Sequence, residues 1–423
     1  MLQVSYLRQH TQLAKELLAI KHFSNLGLVD QVIEVDDQRK RVQASFDDLQ
    51  SKVNAASKEI GNHMAKGEKE QAEAIKQNVG AWKLALEPLK VEMAEVELAL
   101  QNLVVQLPNL PHALVPKGKT PEENEVVKEA GSTPILPATA MAHWDLIKKY
   151  NLVDFETGAK ITGSGFPLYI GKGAKFQRAL TQYFLDFNTA AGYTEYIPPY
   201  MVNAASAFAT GQLPDKEGQM YHVGEDDLYL IPTAEVPATN IFRDVLLQES
   251  ELPKTLTAYT PCFRREAGSY GAHVRGLNRL HQFDKVEILR VEHPSNSYTA
   301  LDGMVDHIKS ILEELKLPYR VLKLCSGDLG FTAALTYDFE VFSTAQGRWL
   351  EISSVSNFET YQANRLKLRF KNAEGKSELA HTLNGSSLAL PRVLAGILEN
   401  YQTDQGIHVP KVLIPYTGFK IID

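Results

Sequence analysis

Cysteine is scarce in this chain, and its scarcity narrows the classes of protein that the sequence can encode. The 423 residues include only Cys262 and Cys325, which are too few for a disulfide framework or a four-thiolate metal site. No apolar run approaches the roughly 20 residues that cross a membrane. The N-terminus carries charges throughout, unlike the apolar core of a signal peptide. We therefore predict a cytoplasmic protein with no membrane segment, in which both cysteines are small buried residues.

A strong positive charge and the common glycine-rich phosphate loops are also missing. The net charge of -7 argues against a protein that holds nucleic acid by bulk electrostatics, although it leaves a local basic track open. Neither a Walker-type loop nor a dinucleotide glycine fingerprint occurs, so a bound nucleotide would be held by side chains on strands. The histidines lack metal-ligand spacing, which disfavours a structural metal.

The first quarter of the chain carries two long heptad patterns. Each keeps an apolar seam on one helix face, which is the signature of a coiled coil. The seams include Leu28, Val32, Val42, Val53 and Ala56, then Ile75, Val79, Trp82, Leu86 and Val96. The short polar break between them predicts that the second helix folds back antiparallel, giving an arm on the order of 54 Å long.

Proline marks two further features of this region. Pro88 lies inside the second heptad pattern, where we expect a kink rather than a break because the seam continues in phase. Residues 106–121 hold several prolines and no periodicity, which predicts a linker. The predicted organisation is an arm over residues 1–105, this linker, and a second domain over residues 122–423.

The second domain mixes strand-like and helical pieces without regular β-α-β alternation. Many successive strands are joined by short turns, which favours an α+β domain around an antiparallel sheet over a doubly wound parallel fold. Pro198 and Pro199 follow a long amphipathic helix and a short strand. Because proline cannot donate to a central ladder, that strand is expected at an edge or an interface.

The segment Pro261–Glu287 holds the densest group of candidate functional residues, PCFRREAGSYGAHVRGLNRLHQFDKVE. Its β-prone ends flank a glycine-rich middle, which predicts a hairpin with a long loop. Arg264 and Arg279 offer planar charged forks for phosphate or carboxylate. Strand alternation puts Phe283 on the same face as Glu287. These residues suit a nucleotide triphosphate, and the open alternative is an ordinary hairpin with a solvated basic loop.

Three other segments carry polar residues that suit a site. Thr233 and Glu235 are expected at a strand end, on one face. Glu351 and Ser354 are expected after a strand, where a carboxylate and a hydroxyl suit a hard cation such as magnesium. The Asn-Gly pair after Leu383 is a turn signal, and Arg392 is expected in the first turn of the following helix. Each segment alone is equally compatible with an ordinary polar strand end or turn.

In this order, the segments resemble the seryl-tRNA synthetases of the bacterial kind over essentially the whole chain. GYTEYIPPYMV looks like the family's first motif, FRREAGSYGAHVRGLNRLHQF like its second, and NGSSLALPR like its third. TAE and EISS resemble the family's serine-side and nucleotide-side segments. Asn364 departs from the pattern, since many relatives have a basic residue there.

The resemblance implies an α+β fold, in which an antiparallel coiled-coil arm precedes a class II synthetase catalytic domain with an antiparallel sheet and helices. It implies a serine–tRNA ligase that forms a seryl-adenylate from L-serine and ATP with Mg²⁺, and then charges tRNA(Ser) and, where present, tRNA(Sec). A homodimer is implied by the role of the first motif.

The resemblance also assigns roles to residues of this chain. The implied catalytic residues are Arg264 and Arg392. The implied serine-binding residues are Thr233, Ala234, Glu235, Glu287, Asn384 and Ser386. The implied ATP-binding residues are Arg264, Arg265, Glu266, Arg279, Phe283, Glu351, Ile352, Ser353, Ser354 and Arg392. The implied magnesium ligands are Glu351 and Ser354, and the glycine-rich stretch Gly268–Gly276 is expected to meet the tRNA acceptor end.

Two other readings stay open on the sequence. A paralogue that loads an amino acid onto a carrier protein would lack the long arm, so the heptads count against it. A degenerate synthetase acting as a regulator would have no physical need for the full set of arginines and glutamates. The arm holds ten Lys and Arg against fourteen Asp and Glu over residues 28–105, so RNA contact would need local basic clusters and recognition of RNA shape.

Overall fold

The computed structural model describes residues 1–215, 217–266 and 275–423. It contains two compact units, Met1–Pro108 and Asn109–Asp423. The first unit is built from α1 (Val4–Gln9), α2 (Thr11–Ile20), α3 (Leu28–Ala65) and α4 (Lys69–Val104).

The predicted coiled-coil hairpin is confirmed. Only three residues separate α3 from α4, so the two helices run antiparallel. Their seam buries Val53 and Ala56 of α3 against Val79 and Leu86 of α4. The helix α4 continues through Pro88 without a break.

A buried carboxylate ties α1 to α3. Asp36 is 3% exposed and forms ion pairs with Arg8 at 2.8 Å, Arg39 at 2.9 Å and Lys40 at 2.9 Å. Burial by itself would raise the pKa of Asp36, but hydrogen bonds from Lys40, Arg39 and Arg8 lower it to about 2. The carboxylate is therefore ionised at neutral pH and compensates the surrounding cations.

The second unit combines short and long helices with many strands. Its helices are α5 (His143–Lys149), α6 (Phe155–Ile161), α7 (Gly171–Ala190), α8 (Ala204–Thr210), α9 (Glu235–Asn240), α10 (Ser297–Glu314), α11 (Thr360–Leu366), α12 (Leu390–Asn400) and α13 (Ile414–Thr417). Its strands are β1 (Glu125–Ala130), β2 (Val153–Asp154), β3 (Leu168–Tyr169), β4 (Thr194–Tyr196), β5 (Met201–Asn203), β6 (His222–Val223), β7 (Leu228–Leu230), β8 (Leu246–Gln248), β9 (Lys254–Phe263), β10 (Gln282–Glu292), β11 (Tyr319–Lys323), β12 (Leu335–Ser343), β13 (Arg348–Asn357), β14 (Arg369–Lys371), β15 (Ser377–Leu379), β16 (His381–Ala389), β17 (Gln402–Thr403), β18 (Gly406–His408) and β19 (Ile421–Ile422).

An eight-stranded sheet organises this unit, in the order β1-β11-β12-β13-β16-β10-β9-β4. Every neighbouring pair is antiparallel except β4 and β9, which are parallel. One apolar cluster joins the sheet to α7, α10 and α12 through residues such as Phe184, Ile308 and Leu394. The predicted α+β class is confirmed. The strand β4, which Pro198 and Pro199 follow in the chain, lies at the edge of the sheet, as expected.

Two β-bulges interrupt the ladder beside the cavity described below. Against β10, the strand β16 carries one extra residue, because Lys285 pairs with Ala389 and Glu287 pairs with Ser386. Against β12, the strand β13 carries one extra residue at Ile352. A bulge changes which face the following side chains occupy.

The expected turn at Asn384-Gly385 is wrong, because both residues lie inside β16. Gly385 is required there for close packing rather than for a turn. A Cβ atom at this position would lie 2.8 Å from Cγ2 of Val355, its partner on β13. The Asn-Gly pair therefore marks a close approach of two central strands.

Most of the segment predicted as a linker belongs to the second unit. The Asn109 amide group donates to the carbonyls of Thr332 and Phe358, each at 2.9 Å. Further along, the Ser326 amide donates to the Pro116 carbonyl at 2.9 Å. Among the described residues, no helix combines the length and the apolar character needed to span a bilayer.

Candidate active site

A cavity of about 480 Å³ opens on the sheet over β10, β13 and β16. It is lined by most of the residues that the sequence singled out. These are Thr233, Glu235, Arg264, Glu266, Arg279, Phe283, Glu287, Glu351, Ile352, Ser353, Ser354, Asn384, Ser386 and Arg392. Ala234 is buried and does not line the cavity. Arg265 is exposed, and its backbone amide donates to the Gln219 carbonyl at 2.9 Å.

The predicted hairpin forms the centre of the cavity. The strands β9 and β10 pair antiparallel, with Phe263 opposite Gln282. Arg264 follows β9 directly, and its Nε donates to the Pro232 carbonyl at 3.1 Å. Its guanidinium carbon lies 5.2 Å from the centre of the Phe283 ring, a cation–π contact that orients the charged fork. The expected contact of Gly268–Gly276 with tRNA falls mostly on residues 267–274, outside the described part of the chain.

The far side of the hairpin loop is fixed by a buried histidine. The Leu277 amide donates to Nε2 of His143 at 2.9 Å, and Nδ1 of His143 lies 2.7 Å from a Glu399 oxygen. The ring is therefore the neutral tautomer that carries its hydrogen on Nδ1. This contact positions Leu277, which lines the cavity next to Asn278 and Arg279.

One corner of the cavity holds a compact group of charges. Nζ of Lys285 lies 2.6 Å from Oε2 of Glu287 and 2.6 Å from Oγ1 of Thr233. Lys285 and Glu287 are 7% and 2% exposed. Burial raises the pKa of Glu287, while the charges of Lys285 and Arg264 oppose that change. This corner can accept hydrogen bonds from a small cationic group.

A second carboxylate completes that corner, although its local structure differs from expectation. The strand β7 ends at Leu230, and Glu235 is the first residue of α9 rather than part of a strand end. Burial and the charge of Glu287 raise the pKa of Glu235, and a hydrogen bond from Gln362 lowers it. That bond is 2.6 Å long, and the Gln362 oxygen accepts from the Thr382 hydroxyl at 2.8 Å.

Two residues of β16 face the same corner. Asn384 and Ser386 alternate along the strand, so both side chains point to the cavity side. Asn384 is 6% exposed, and its side-chain amide favours the charged form of Glu235. The Asn384 amide therefore lies at the acidic corner beside its second carboxylate.

Glu351 and Ser354 lie inside β13, not after a strand as expected. Residues three apart on a regular strand face opposite sides, but the bulge at Ile352 brings both side chains to the cavity. The cross-strand partner of Ser354 is Asp338, whose pKa is raised well above its usual range by burial and by the charge of Glu351. Within the described residues, Oδ1 of Asp338 is buried and has no hydrogen-bond partner.

These oxygens fit a hard cation. The described part of the chain has no cluster of three or more His, Cys, Asp or Glu side chains suited to a metal. Magnesium, however, commonly takes only one or two carboxylates beside substrate phosphates. Glu351 and Ser354 supply such oxygens on the cavity lining.

One wall of the cavity carries the remaining arginines. Arg392 lies in the first turn of α12, as expected, where its Nε donates to the Asn278 carbonyl at 2.9 Å and its Nη1 to the Glu351 carbonyl at 2.8 Å. Arg279 and Glu266 form an ion pair of 2.7 Å. This wall combines cationic forks with the apolar Phe283 ring, a set that suits a nucleotide.

Several residues of the site were missed at the level of sequence. Lys285 stands between Phe283 and Glu287 on the same strand face, so the two-residue period could have found it. Gln362 lies two residues before Asn364, and in that stretch only Asn364 was considered, as a departure from the family pattern. His143 and Asp338 have no local signal, since each acts across the fold.

Known proteins are similar to this chain over its whole length. The family described as "tRNA synthetase class II core domain (G, H, P, S and T)" matches residues 220–401, and "Seryl-tRNA synthetase N-terminal domain" matches residues 1–111. The serine–tRNA ligase of Salinibacter ruber is 49% identical over 99% of this chain and 98% of its own length. That of Chlorobaculum parvum is 46% identical over 100% of both.

The fold also has a similar solved structure. The seryl-tRNA synthetase of Pyrococcus horikoshii, solved in complex with ATP, has a TM-score of 0.86 and 32% identity. The match covers 100% of this chain and 99% of that one.

Proposed function

The chain belongs to the seryl-tRNA synthetases and attaches serine to tRNA, and we propose that it does so through a seryl-adenylate formed in the cavity between β10 and β13. The observation that carries this proposal is the meeting, in one cavity, of an acidic corner for a small ammonium and a cationic wall for phosphates. The similar Pyrococcus horikoshii protein was solved with ATP, which supports ATP as the second substrate.

Adenylate formation is an in-line displacement at the α-phosphorus. A serine carboxylate oxygen forms the new P–O bond, and the bond to the bridging oxygen breaks to release pyrophosphate. Because the nucleophile is already ionised, no general base is needed, and catalysis depends on positioning and charge neutralisation. We assign Arg264 to this task, since its anchored guanidinium can bridge the serine carboxylate and the α-phosphate.

The cationic wall is proposed to hold the nucleotide. Phe283 and Arg392 would stack on the adenine, Glu266 would contact its edge, and Arg279 or Arg392 would reach the terminal phosphates. The remaining proposed ATP contacts are Arg265, Glu351, Ile352, Ser353 and Ser354. Arg265 is the weakest of these, because it lies outside the cavity lining.

The acidic corner is proposed to hold serine. Glu287 can accept from both the ammonium and the hydroxyl group, while Glu235 adds a second negative charge. The remaining proposed serine contacts are Thr233, Ala234, Asn384 and Ser386. Alanine would leave these buried polar groups unpaired, which strongly disfavours its binding.

Magnesium would be held by Glu351 and Ser354, which suits the hard-oxygen character of that side of the cavity. When bound, the ion would neutralise phosphate charge. The protein's own part is to keep both oxygens on one face through the bulge at Ile352.

Transfer to tRNA is the second proposed step. A ribose hydroxyl of the acceptor end attacks the seryl carbonyl, and AMP leaves. The arm is proposed to bind tRNA(Ser), and the match of residues 1–111 to the N-terminal domain of this family supports it. Charging of tRNA(Sec) and a cytoplasmic location remain predictions of the family resemblance.

A homodimer is proposed from the edge of the large sheet. Tyr196, Ile197, Tyr200 and Met201 are 40%, 80%, 38% and 47% exposed. They form a short apolar stretch around Pro199, and such stretches commonly mark protein interfaces.

The substitution Arg264→Ala tests the proposed first step. We expect serine-dependent ATP–pyrophosphate exchange to fall by at least roughly 1,000-fold, the scale of removing a central charge-stabilising group. The melting temperature should change little, because Arg264 is only half-buried. Arg369→Ala, at an exposed position of β14, is the matched control. Exchange at the wild-type rate in Arg264→Ala would contradict the assignment.

A further inference from the structure

Lys285 is the least explained group in the cavity. It is a lysine at 7% exposure, and a buried ammonium is expensive unless its hydrogens and its charge are matched. None of the roles proposed above for serine, ATP or magnesium uses it. It nevertheless lines the cavity and touches two of the proposed serine contacts, Thr233 and Glu287.

We propose that Lys285 is a specificity-determining residue of the serine site, which fixes Thr233 as a hydrogen-bond donor and Glu287 as an acceptor. This inference rests on the proposed function of the cavity and deepens it.

The Thr233 hydroxyl is polarised by its partners. Its Oγ1 accepts from Nζ of Lys285 at 2.6 Å and from the Glu235 amide at 3.3 Å. A hydroxyl has two acceptor lone pairs and one donor hydrogen. With both lone pairs engaged, the Thr233 hydrogen is directed to an acceptor, and a substrate oxygen in the cavity can supply one.

Glu287 is held in the complementary state. Its Oε2 lies 2.6 Å from the Lys285 ammonium, whose charge favours the ionised carboxylate against the effect of burial. Its other oxygen can then accept from the substrate. A serine hydroxyl would be recognised twice, as an acceptor from Thr233 and as a donor to Glu287.

This arrangement separates serine from its close analogues. Alanine offers neither a donor nor an acceptor at that point, and the cysteine thiol is weak in both roles. Without the Lys285 charge, Thr233 could turn its hydrogen towards Glu287, and the two would satisfy each other instead of the substrate. Discrimination would then decline even where the cavity keeps its shape.

The electrostatic surroundings make the ammonium necessary. Glu235 on α9 faces the same corner as Glu287 on β10, and the two carboxylates repel each other. Arg264 and the buried Cys262 thiol are the other titratable groups near Lys285. Removing the ammonium leaves two carboxylates beside Arg264 alone, which favours protonation of one of them.

The test is ATP–pyrophosphate exchange by the full chain carrying Lys285→Met, which keeps the side-chain length but removes the charge. We expect the KM for serine to rise by roughly 10- to 100-fold and the preference for serine over alanine to fall by a similar factor. The KM for ATP should stay within about twofold, because Lys285 touches the serine side. The acid limb of the profile of kcat/KM for serine should move to higher pH.

Lys254→Met is the matched control, since this lysine starts β9 on the outer end of the same hairpin and pairs with Glu251. A second variant, Lys285→Ala, should regain serine preference when n-propylammonium is added, but not when n-propanol is added. A purely structural role would not give that charge-specific rescue. If Lys285→Met does not fold, the same measurements are made on Lys285→Gln.

An unchanged serine KM and an unchanged serine-to-alanine ratio in Lys285→Met would overturn the inference. Failure of the proposed function is a different result, because the wild-type chain itself would then show no exchange with serine.

Discussion

At the scale of single residues, the charged side chains of the cavity are held by neighbouring polar or aromatic groups. Glu287 has Lys285, Glu235 has Gln362, and Arg264 has the Pro232 carbonyl together with the Phe283 ring. Each partner orients the side chain that it contacts. We therefore expect substrate selection to depend also on residues that need not touch the substrate.

Gln362→Met tests this principle at the second carboxylate. Removing the amide donor raises the pKa of Glu235 further, so the acid limb of kcat/KM for serine should move to higher pH. The KM for serine should rise by roughly 10-fold, the value of a hydrogen bond to a charged group. Steady-state exchange across a range of pH measures both. Gln77→Met, on the exposed face of α4, is the control, and an unshifted acid limb would show that Glu235 does not need Gln362.

The sequence predicted part of this residue-scale arrangement. Arg264, Phe283 and Glu287 were found because strand alternation and the charge of arginine are local properties. Lys285 obeys the same alternation, but a lysine suggests a solvated surface unless its burial is known. Gln362 and Asp338 reach the site from other elements, and sequence spacing carries no information about such long-range contacts.

At the scale of elements, the central strands are packed so closely that one position must be glycine. Gly385→Ala would place a methyl group 2.8 Å from Cγ2 of Val355. We expect a loss of about 1–3 kcal/mol in the free energy of unfolding, the usual cost of overpacking a core. Urea denaturation measures it. The double variant Gly385→Ala with Val355→Ala should recover part of the loss, and strictly additive effects would contradict the proposed clash.

The ion pairs of Asp36 between α1 and α3 predict how the stability of the protein changes at low pH. The pKa of Asp36 is lowered to about 2, so the stabilisation is fully present above the ordinary carboxyl pKa and is lost as the pH falls through about 2. Asp36→Asn should cost on the order of 2 kcal/mol in unfolding free energy at neutral pH. The difference between variant and wild type should shrink in acid.

Denaturation of both proteins at several pH values checks this prediction. Asp48→Asn is the control, because Asp48 is exposed and its pair with Lys52 lies on the surface, where such pairs contribute little. A difference for Asp36→Asn that does not vary with pH would rule out the carboxylate charge as its cause.

Elements were predictable where a pattern repeats. The heptads identified α3 and α4 because a coiled-coil seam is a periodic and local signal. The Asn-Gly pair led to the wrong prediction of a turn, because glycine occurs both in turns and where two strands approach closely. The bulge at Ile352 was also hidden, since it is defined by the pairing of β13 with β12.

At the scale of the whole molecule, the two units are expected to divide the two steps of the reaction. Replacing Val32–Leu100 by a short linker should leave serine-dependent ATP–pyrophosphate exchange close to that of the wild type. Charging of tRNA should fall by roughly 100-fold, because loss of about 3 kcal/mol of binding energy corresponds to that factor. Parallel exchange and charging assays measure the two steps. Wild-type charging by the shortened chain would mean that the arm has a structural role only.

Assembly provides the last prediction. Ile197→Asp places a charge in the most exposed part of the apolar edge beside β4, where Ile197 is 80% exposed. If this edge is the dimer interface, light scattering should find a dimer for the wild type and a monomer for the variant, because a buried unpaired charge opposes association. Ile135→Asp is the control, since Ile135 is fully exposed and lies outside β4. A wild-type monomer, or a variant that remains dimeric, would refute this interface.

The bulge in β16 also limits how this protein can change in length. Up to Ser386 the even-numbered Asn384 and Ser386 face the cavity, and beyond the extra residue it is the odd-numbered Ala389 that does so. Deleting Ser387 or Leu388 would remove the extra residue, so that the two halves of β16 would follow one alternation of side chains. Either Ser386 or the start of α12 would then face away from the cavity. Substitutions at these two positions are tolerable in principle, whereas insertions and deletions are not. Homologous chains that keep this activity should therefore align through residues 384–392 without a gap.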